Sequence, residues 1–153
     1  MFNLKNLLQK NDTQEPEHED YDPAERLKIA TCVILLEVAQ SDDEFSSLEK
    51  ATLSAILQKE FQIHQEAVDA LIQVSRRKRE ESIDLYQFTK IVNQQSSLQE
   101  KIRMVELAWH IIYADTELNR YEDHFVHKLA RLLRLQHEDL IEAKMKVLDQ
   151  IRT

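Results

Sequence analysis

The 153-residue sequence contains no glycine, two prolines and one cysteine. Phosphate-binding loops, dinucleotide-binding turns and the nucleophile elbow of many hydrolases all need glycine, so the composition excludes these three kinds of site. Tight β-hairpin turns also depend on glycine, which argues against an all-β fold. The single cysteine, Cys32, cannot form an internal disulfide, and its apolar neighbours predict a buried, reduced thiol.

Positive charge is also scarce. The chain has 20 Lys and Arg against 28 Asp and Glu, a formal net charge of −8 at pH 7. Nucleic-acid binding requires a basic face, so we expect no nucleic-acid partner. No run approaches the roughly 20 apolar residues that cross a bilayer, and the first residues are too short and polar a stretch for a signal peptide. These features predict a soluble, cytoplasmic protein.

The chain is rich in helix-forming residues, with apolar positions three and four apart. This periodicity predicts an all-α fold, a single domain of about seven helices. The first helix should begin at Pro23 with Asp22 as its N-cap, and it should be central and buried because it is apolar on nearly every side. A capping box from Ser97 to Glu100 marks the start of the fifth helix.

The N-terminal part of the chain differs from the rest. Residues 1–22 are predicted to form an N-terminal segment and an acidic flexible linker, and residues 23–151 to form the helical domain. The linker region "NDTQEPEHEDYDP" contains both prolines and no aliphatic residue. The segment before it has four apolar residues at near-helical spacing: Phe2, Leu4, Leu7 and Leu8. It could lie on a partner helix or on a membrane, although it is short for stable membrane binding.

An acidic pattern occurs twice, 73 residues apart. Each copy follows an apolar helical run and has an acid, a glutamate two residues on and a glutamate five residues further: Asp42, Glu44 and Glu49, then Asp115, Glu117 and Glu122. Repetition at this interval predicts two related three-helix units, at about 32–72 and 105–145, bridged by a central helix, the fourth.

The last glutamate of each copy has a structural explanation. Glu49 and Glu122 complete capping boxes that begin at Ser46 and Asn119. In such a box the glutamate carboxylate accepts a hydrogen bond from the capping residue's backbone N–H and faces the positive end of the helix. Helix capping is therefore the favoured role of these two carboxylates.

The other four acids are harder to explain by helix formation. They lie at helix C-termini, where the partial negative charge makes acids unfavourable: Asp42, Glu44, Asp115 and Glu117. Their repetition indicates a compensating cation or salt bridges. Carboxylate oxygens suit Ca²⁺ or Mg²⁺, although the spacing is not that of an EF-hand. Solvated acids near Lys or Arg are the open alternative, and such surface pairs contribute little stability.

The stretches "VAQSDDEFSSLEK" and "YADTELNRYED" resemble the twin acidic motifs of the TerB family, small all-helical bacterial proteins linked to tellurite resistance and stress operons. The resemblance covers about residues 23–150. It implies a seven-helix fold and metal-binding acids at the six positions of the repeated pattern. A related TerB-like domain precedes the J-domain of the membrane co-chaperone DjlA.

The resemblance also implies a function. We expect a non-catalytic stress or tellurite-resistance protein that acts as an interaction scaffold, with Ca²⁺ or Mg²⁺ as its only cofactor. Its partners would be proteins, including a complex at the inner face of the membrane, and we see no small-molecule substrate. The alternative is a metal-independent, co-chaperone-like domain whose acidic loops bind a basic partner segment. A small metallohydrolase that uses the same carboxylates is a more distant third reading.

Two further pairs of residues have functional interpretations. Glu37 lies in the most apolar helix, and His110 stands 73 residues later, so the two could meet as a pH-sensing pair or form ordinary structural bonds. His124 and His127 share a helix face and could bind Zn²⁺, but no Cys or third His is near them in sequence. Exposed histidines are the favoured interpretation of that second pair.

Overall fold

The computed structural model describes residues 21–40, 47–114 and 120–152, and the side chains of residues 21–39, 50–114 and 124–151. In these ranges the chain forms helices and no strand. The seven helices are α1 (Pro23–Gln40), α2 (Ser47–Phe61), α3 (Gln65–Glu81), α4 (Tyr86–Gln95), α5 (Leu98–Ala114), α6 (Arg120–Leu132) and α7 (His137–Arg152). The prediction of an all-α fold is confirmed.

Helix α1 is the centre of the fold. Its first turn is closed by Asp22, whose Oδ1 accepts a hydrogen bond from the amide of Glu25 at 2.7 Å. Residues 32–35 are all fully buried, and the helix contacts α2, α3, α4, α5 and α6. A helix that is apolar on nearly every side is stable only when other helices cover most of its surface, as these five do here.

The remaining helices pack around this centre and against one another. Helix α1 packs against α2 and α3, and α5 packs against α6 and α7. Contacts of α1 with α5 and α6, and of α2 with α5, connect the two groups. Helix α4 packs on α1, and Asn93 Nδ2 donates to the carbonyl oxygen of Leu132 in α6 at 3.0 Å. The internal sequence repeat itself stays a prediction.

The core is one continuous apolar cluster with contributions from all seven helices. Its largest fully buried side chains include Trp109 and Phe88. The Trp109 ring stacks on Tyr113, with centroids 5.8 Å apart, so both aromatic residues serve packing. Burial of each large apolar side chain contributes about 1.5–3 kcal/mol relative to exposure. None of the described helices is long and apolar enough to cross a membrane.

Helices α2 and α6 end with the same backbone geometry, a positive φ just beyond the helix, although the chain contains no glycine. Gln62 and Arg134 follow these helices with φ of 53° and 60°. In each case the amide of the next residue donates to the carbonyl five positions back, at 3.2 Å after α2 and 2.9 Å after α6. This is the Schellman termination, in which glycine is usual because it adopts positive φ without a steric cost.

The capping box before α5 is confirmed. The amide of Ser97 donates to Glu100 Oε1 at 3.0 Å, and the amide of Glu100 donates to Ser97 Oγ at 3.2 Å. The backbone bond from Ser97, followed by the bond with its side chain, lowers the pKa of the Glu100 carboxyl. The two boxes predicted from Ser46 and from Asn119 lie outside the described side chains.

Candidate functional site

The six acids of the repeated pattern lie where the structure gives no side-chain position. Four are outside the described residues, and two are in helices α2 and α6 at positions whose side chains are outside the description: Asp42, Glu44, Asp115 and Glu117, then Glu49 and Glu122. The described side chains contain no group of three or more His, Cys, Asp or Glu that could hold a metal ion. The cation site therefore stays a prediction.

The described helices nevertheless show what lies beside the acidic segments. Helix α2 follows residues 41–46, and helix α5 precedes residues 115–119. These helices pack against each other, and Thr52 from the first half of α2 lines the same cavity as Ala114, the last residue of α5. The fold thus brings the beginning of α2 and the end of α5 to one region of the surface.

Two adjoining cavities form a groove between α1, α2 and α5, which we call the α1–α2–α5 groove. The cavities have volumes of about 490 and 440 Å³. Both are lined by Ile56, Glu60, Arg103 and Leu107, so they are neighbours on one surface. The wall of the larger cavity is mainly apolar and includes Ala24, Leu27, Leu35, Leu57, Phe61 and Met104. Mainly apolar concavities of this size are typical of binding sites.

An ion pair crosses the groove where the two cavities meet. Arg103 Nη2 on α5 donates to Glu60 Oε1 on α2 at 2.6 Å. The two side chains are 40% and 26% exposed, so solvent screens the attraction and the pair contributes no more than about 1 kcal/mol. A ligand that enters the groove can displace such a bridge at small cost.

Cationic side chains stand beside the apolar wall. The Lys28 ammonium lies 5.9 Å from the centroid of the Phe61 ring. Burial lowers the pKa of Lys28, while the carboxylates of Asp22 and Glu25 act in the opposite direction. Lys59 and Arg103 line the groove further along. The groove therefore combines apolar walls with three cations and the carboxylates of Glu60 and Glu100, in a chain of net charge −8.

Glu37 and His110 bind different partners. Glu37 forms an ion pair with Arg79 of α3. His110 Nε2 lies 3.0 Å from Gln150 Oε1 of α7, and its ring lines the smaller cavity of the groove. The bonds that the structure shows for these two residues are structural links between neighbouring helices.

A third histidine, His137 at the start of α7, lies beside His127 of α6. The rings of His127 and His137 stack with centroids 6.0 Å apart, and His124 is exposed. Within the described side chains these histidines belong to no group that could hold a metal. A zinc site here therefore gains no support from the described side chains.

Glu106, a buried carboxylate in α5, was not among the residues singled out from the sequence. Its side chain is 5% exposed, and Lys146 Nζ of α7 lies 2.9 Å from its Oε1. The angles of this close approach are not those of a hydrogen bond. Lys146 Nζ donates instead to Glu106 Oε2, at 3.4 Å. The sequence does contain an indication of a buried carboxylate here, since Glu106 is the one acid in the apolar run "MVELAWHII".

Comparison with known proteins identifies the class to which this helical fold belongs. The family model described as tellurite resistance protein TerB matches residues 28–145, and the chain belongs to this family. Among solved structures, a protein of unknown function from Porphyromonas gingivalis W83 is similar, with a TM-score of 0.62 and 18% sequence identity. The match covers 82% of this chain and 95% of that one, and at this identity it shows a shared fold. A comparison with curated proteins gives no match.

Proposed function

We propose that this TerB-family chain is a non-catalytic interaction scaffold of the cytoplasm, linked to tellurite resistance or a related stress. Its paired acidic segments, residues 41–46 and 115–119, would bind a divalent cation and hold a protein partner, including one in a complex at the inner face of the membrane. The observation that carries the proposal is the position of Thr52 and Ala114 in one cavity wall. Helix α2, which follows residues 41–46, thus lies beside helix α5, which precedes residues 115–119.

The chemistry of the donor set favours a hard cation. Asp42, Glu44, Asp115 and Glu117 would supply carboxylate oxygens, which Ca²⁺ and Mg²⁺ prefer. Ca²⁺ takes six to eight oxygen ligands, so bidentate carboxylates, backbone carbonyls and water would complete its shell. Glu49 and Glu122, the capping-box residues, would remain bonded to helix N-termini rather than to the ion.

The cation site is tested by thermal unfolding of the metal-free protein with added Ca²⁺, Mg²⁺, Mn²⁺ or Zn²⁺. At a hundred times its Kd, a bound cation should add about 2.7 kcal/mol to the free energy of unfolding, which corresponds to a rise in Tm of about 5–10 °C. The variant Asp42→Asn/Asp115→Asn should lose this rise. Asp149→Asn, which removes an exposed carboxylate on α7, is the matched control and should keep it. A wild-type Tm that no cation changes would exclude the cation site.

The acidic composition favours a second candidate, the metal-independent, co-chaperone-like interaction domain. The chain has net charge −8, and its paired acidic segments would attract a basic partner segment directly. A fluorescent Lys/Arg-rich probe peptide should then bind with an affinity that falls as salt rises and that does not change with EDTA. Asp42→Asn/Asp115→Asn should weaken this binding, while Asp149→Asn should not. If EDTA abolishes binding of the probe, the cation-dependent scaffold is favoured instead.

A further inference from the structure

The α1–α2–α5 groove has the dimensions of a site for a short helix. Along α2 it extends from Thr52 to Phe61, a length of about 14 Å at 1.5 Å per residue. Its walls come from three helices, and apolar side chains dominate the larger cavity. Two turns of an amphipathic helix would match this length and could bury one apolar face there.

The chain itself carries a segment of that length and character. Leu4, Leu7 and Leu8 stand at positions i, i+3 and i+4, which fall on one face of a helix. A helix from Phe2 to Leu8 would be about 11 Å long. A helix this short does not form alone in water. It therefore requires a surface that covers its apolar face.

The groove lies next to the point where this segment joins the described chain. Ala24, Leu27 and Lys28, from the first two turns of α1, form part of its wall. Residues 9–20 connect the segment to Tyr21, and twelve residues can span up to about 40 Å. A short tether of this kind gives an effective concentration of about 1 mM. An intrinsic Kd of about 0.1 mM would therefore keep the groove about nine-tenths occupied.

Charge favours the same occupant. The stretch between the segment and Tyr21 carries five acids: Asp12, Glu15, Glu17, Glu19 and Asp20. The lining of the groove has three cations, Lys28, Lys59 and Arg103, against the two carboxylates of Glu60 and Glu100, in a chain where acids outnumber bases by 28 to 20. With the apolar face of the segment in the groove, the acidic stretch would pass beside these cations and be attracted to them.

We propose that the α1–α2–α5 groove binds residues 2–8 of the same chain as a short amphipathic helix. The residues involved are distinct from the acids of the repeated pattern, and the proposal holds or fails independently of the cation site.

The test uses the full chain with a nitroxide label attached to the thiol that Asn3→Cys introduces. Cys32 is fully buried, and burial raises its pKa to about 12, so it does not compete for the label. The NMR signals of Ile56, Phe61 and Leu107 should lose most of their intensity relative to a sample with the reduced, diamagnetic label. Unchanged signals for these groove residues would overturn the proposal.

Further controls test whether the contact is specific and whether it forms within one molecule. Leu4→Asp/Leu7→Asp in the labelled chain should restore the groove signals while helices α1–α7 stay folded, because both positions precede the described core. Ala55→Arg and Ala24→Arg, at exposed positions on the groove wall, should restore them by filling the site. A mixture of labelled ¹⁴N chain and unlabelled ¹⁵N chain detects contact between molecules. Loss of signal in that mixture would mean that a second copy occupies the groove, which also overturns the proposal.

Discussion

Gln62 and Arg134 hold the same place in two helix terminations, one after α2 and one after α6. Both have positive φ, and both are followed by an amide that bonds to the carbonyl five residues back. A residue with a Cβ pays a steric cost of about 1–2 kcal/mol in this left-handed conformation. The two positions are therefore the places where this glycine-free chain departs furthest from favourable backbone geometry among the described residues.

Glycine at either position should stabilise the protein. We expect Gln62→Gly and Arg134→Gly each to raise the free energy of unfolding by about 0.5–1 kcal/mol, since relief of the steric cost exceeds the added entropy of the unfolded chain. Urea unfolding should show a higher midpoint at unchanged slope. Ser96→Gly is the matched control: this helix-end residue has φ of −113°, so glycine there should lower stability. A lower midpoint for Gln62→Gly would contradict this account of the helix ends.

Loss of Lys146 should destabilise the protein more than loss of an ordinary surface lysine. The Glu106 carboxylate is buried against it, and in Lys146→Met only Arg103, 3.8 Å away, remains to compensate the charge. We expect a loss of about 1–2 kcal/mol, below the cost for a fully buried pair because Lys146 is largely exposed. Urea unfolding measures it.

The matched control for that pair is Lys128→Met, at an exposed position on α6, which should change stability by no more than about 0.5 kcal/mol. The double variant Glu106→Leu/Lys146→Met should be more stable than Lys146→Met alone, since it leaves no unpaired charge. Equal losses in Lys146→Met and Lys128→Met would show that the ion pair contributes nothing.

Cys32 should make the protein less stable at alkaline pH. Burial raises its pKa to about 12 from about 9.0, while Ser75 and Arg76 act in the opposite direction. A thiol with a raised folded pKa is neutral in the fold but ionises in the unfolded chain, so stability is complete below the unfolded pKa and falls as pH rises above it.

Between pH 8 and pH 10 the wild type should lose about 1.4 kcal/mol more than Cys32→Ala does. The measurement is urea unfolding of both proteins across this range. All other ionisable groups are common to both chains, so the difference between the two profiles isolates the thiol. Parallel profiles would mean that Cys32 is open to solvent.

Helix positions could be predicted from the sequence because local signals set them. Apolar spacing and the N-cap at Asp22 predicted a first helix that begins at Pro23, and the structure has α1 from Pro23 to Gln40. The capping box from Ser97 to Glu100 likewise marked the start of α5. Side chains within one turn of each other form these bonds, so the sequence records both partners together.

The groove and the ion pairs could not be predicted in the same way. Glu60 and Arg103 are 43 residues apart, and Glu106 and Lys146 are 40 apart. Such pairs depend on which helices pack together and on their rotation, which apolar periodicity does not specify. The paired acids, by contrast, were found from repetition alone, and family membership agrees with the resemblance they carry.

The central position of α1 has a consequence for synthesis on the ribosome. This helix leaves the ribosome before the helices that cover it, and its burial requires α5, which ends at Ala114. At 5–20 residues per second, translation from Gln40 to Ala114 takes about 4–15 seconds. During that time the most apolar helix of the protein has no complete set of partners. Nascent chains arrested before α5 should therefore bind chaperones, and without chaperones they should aggregate. Co-purification of chaperones with stalled ribosomes would measure this binding.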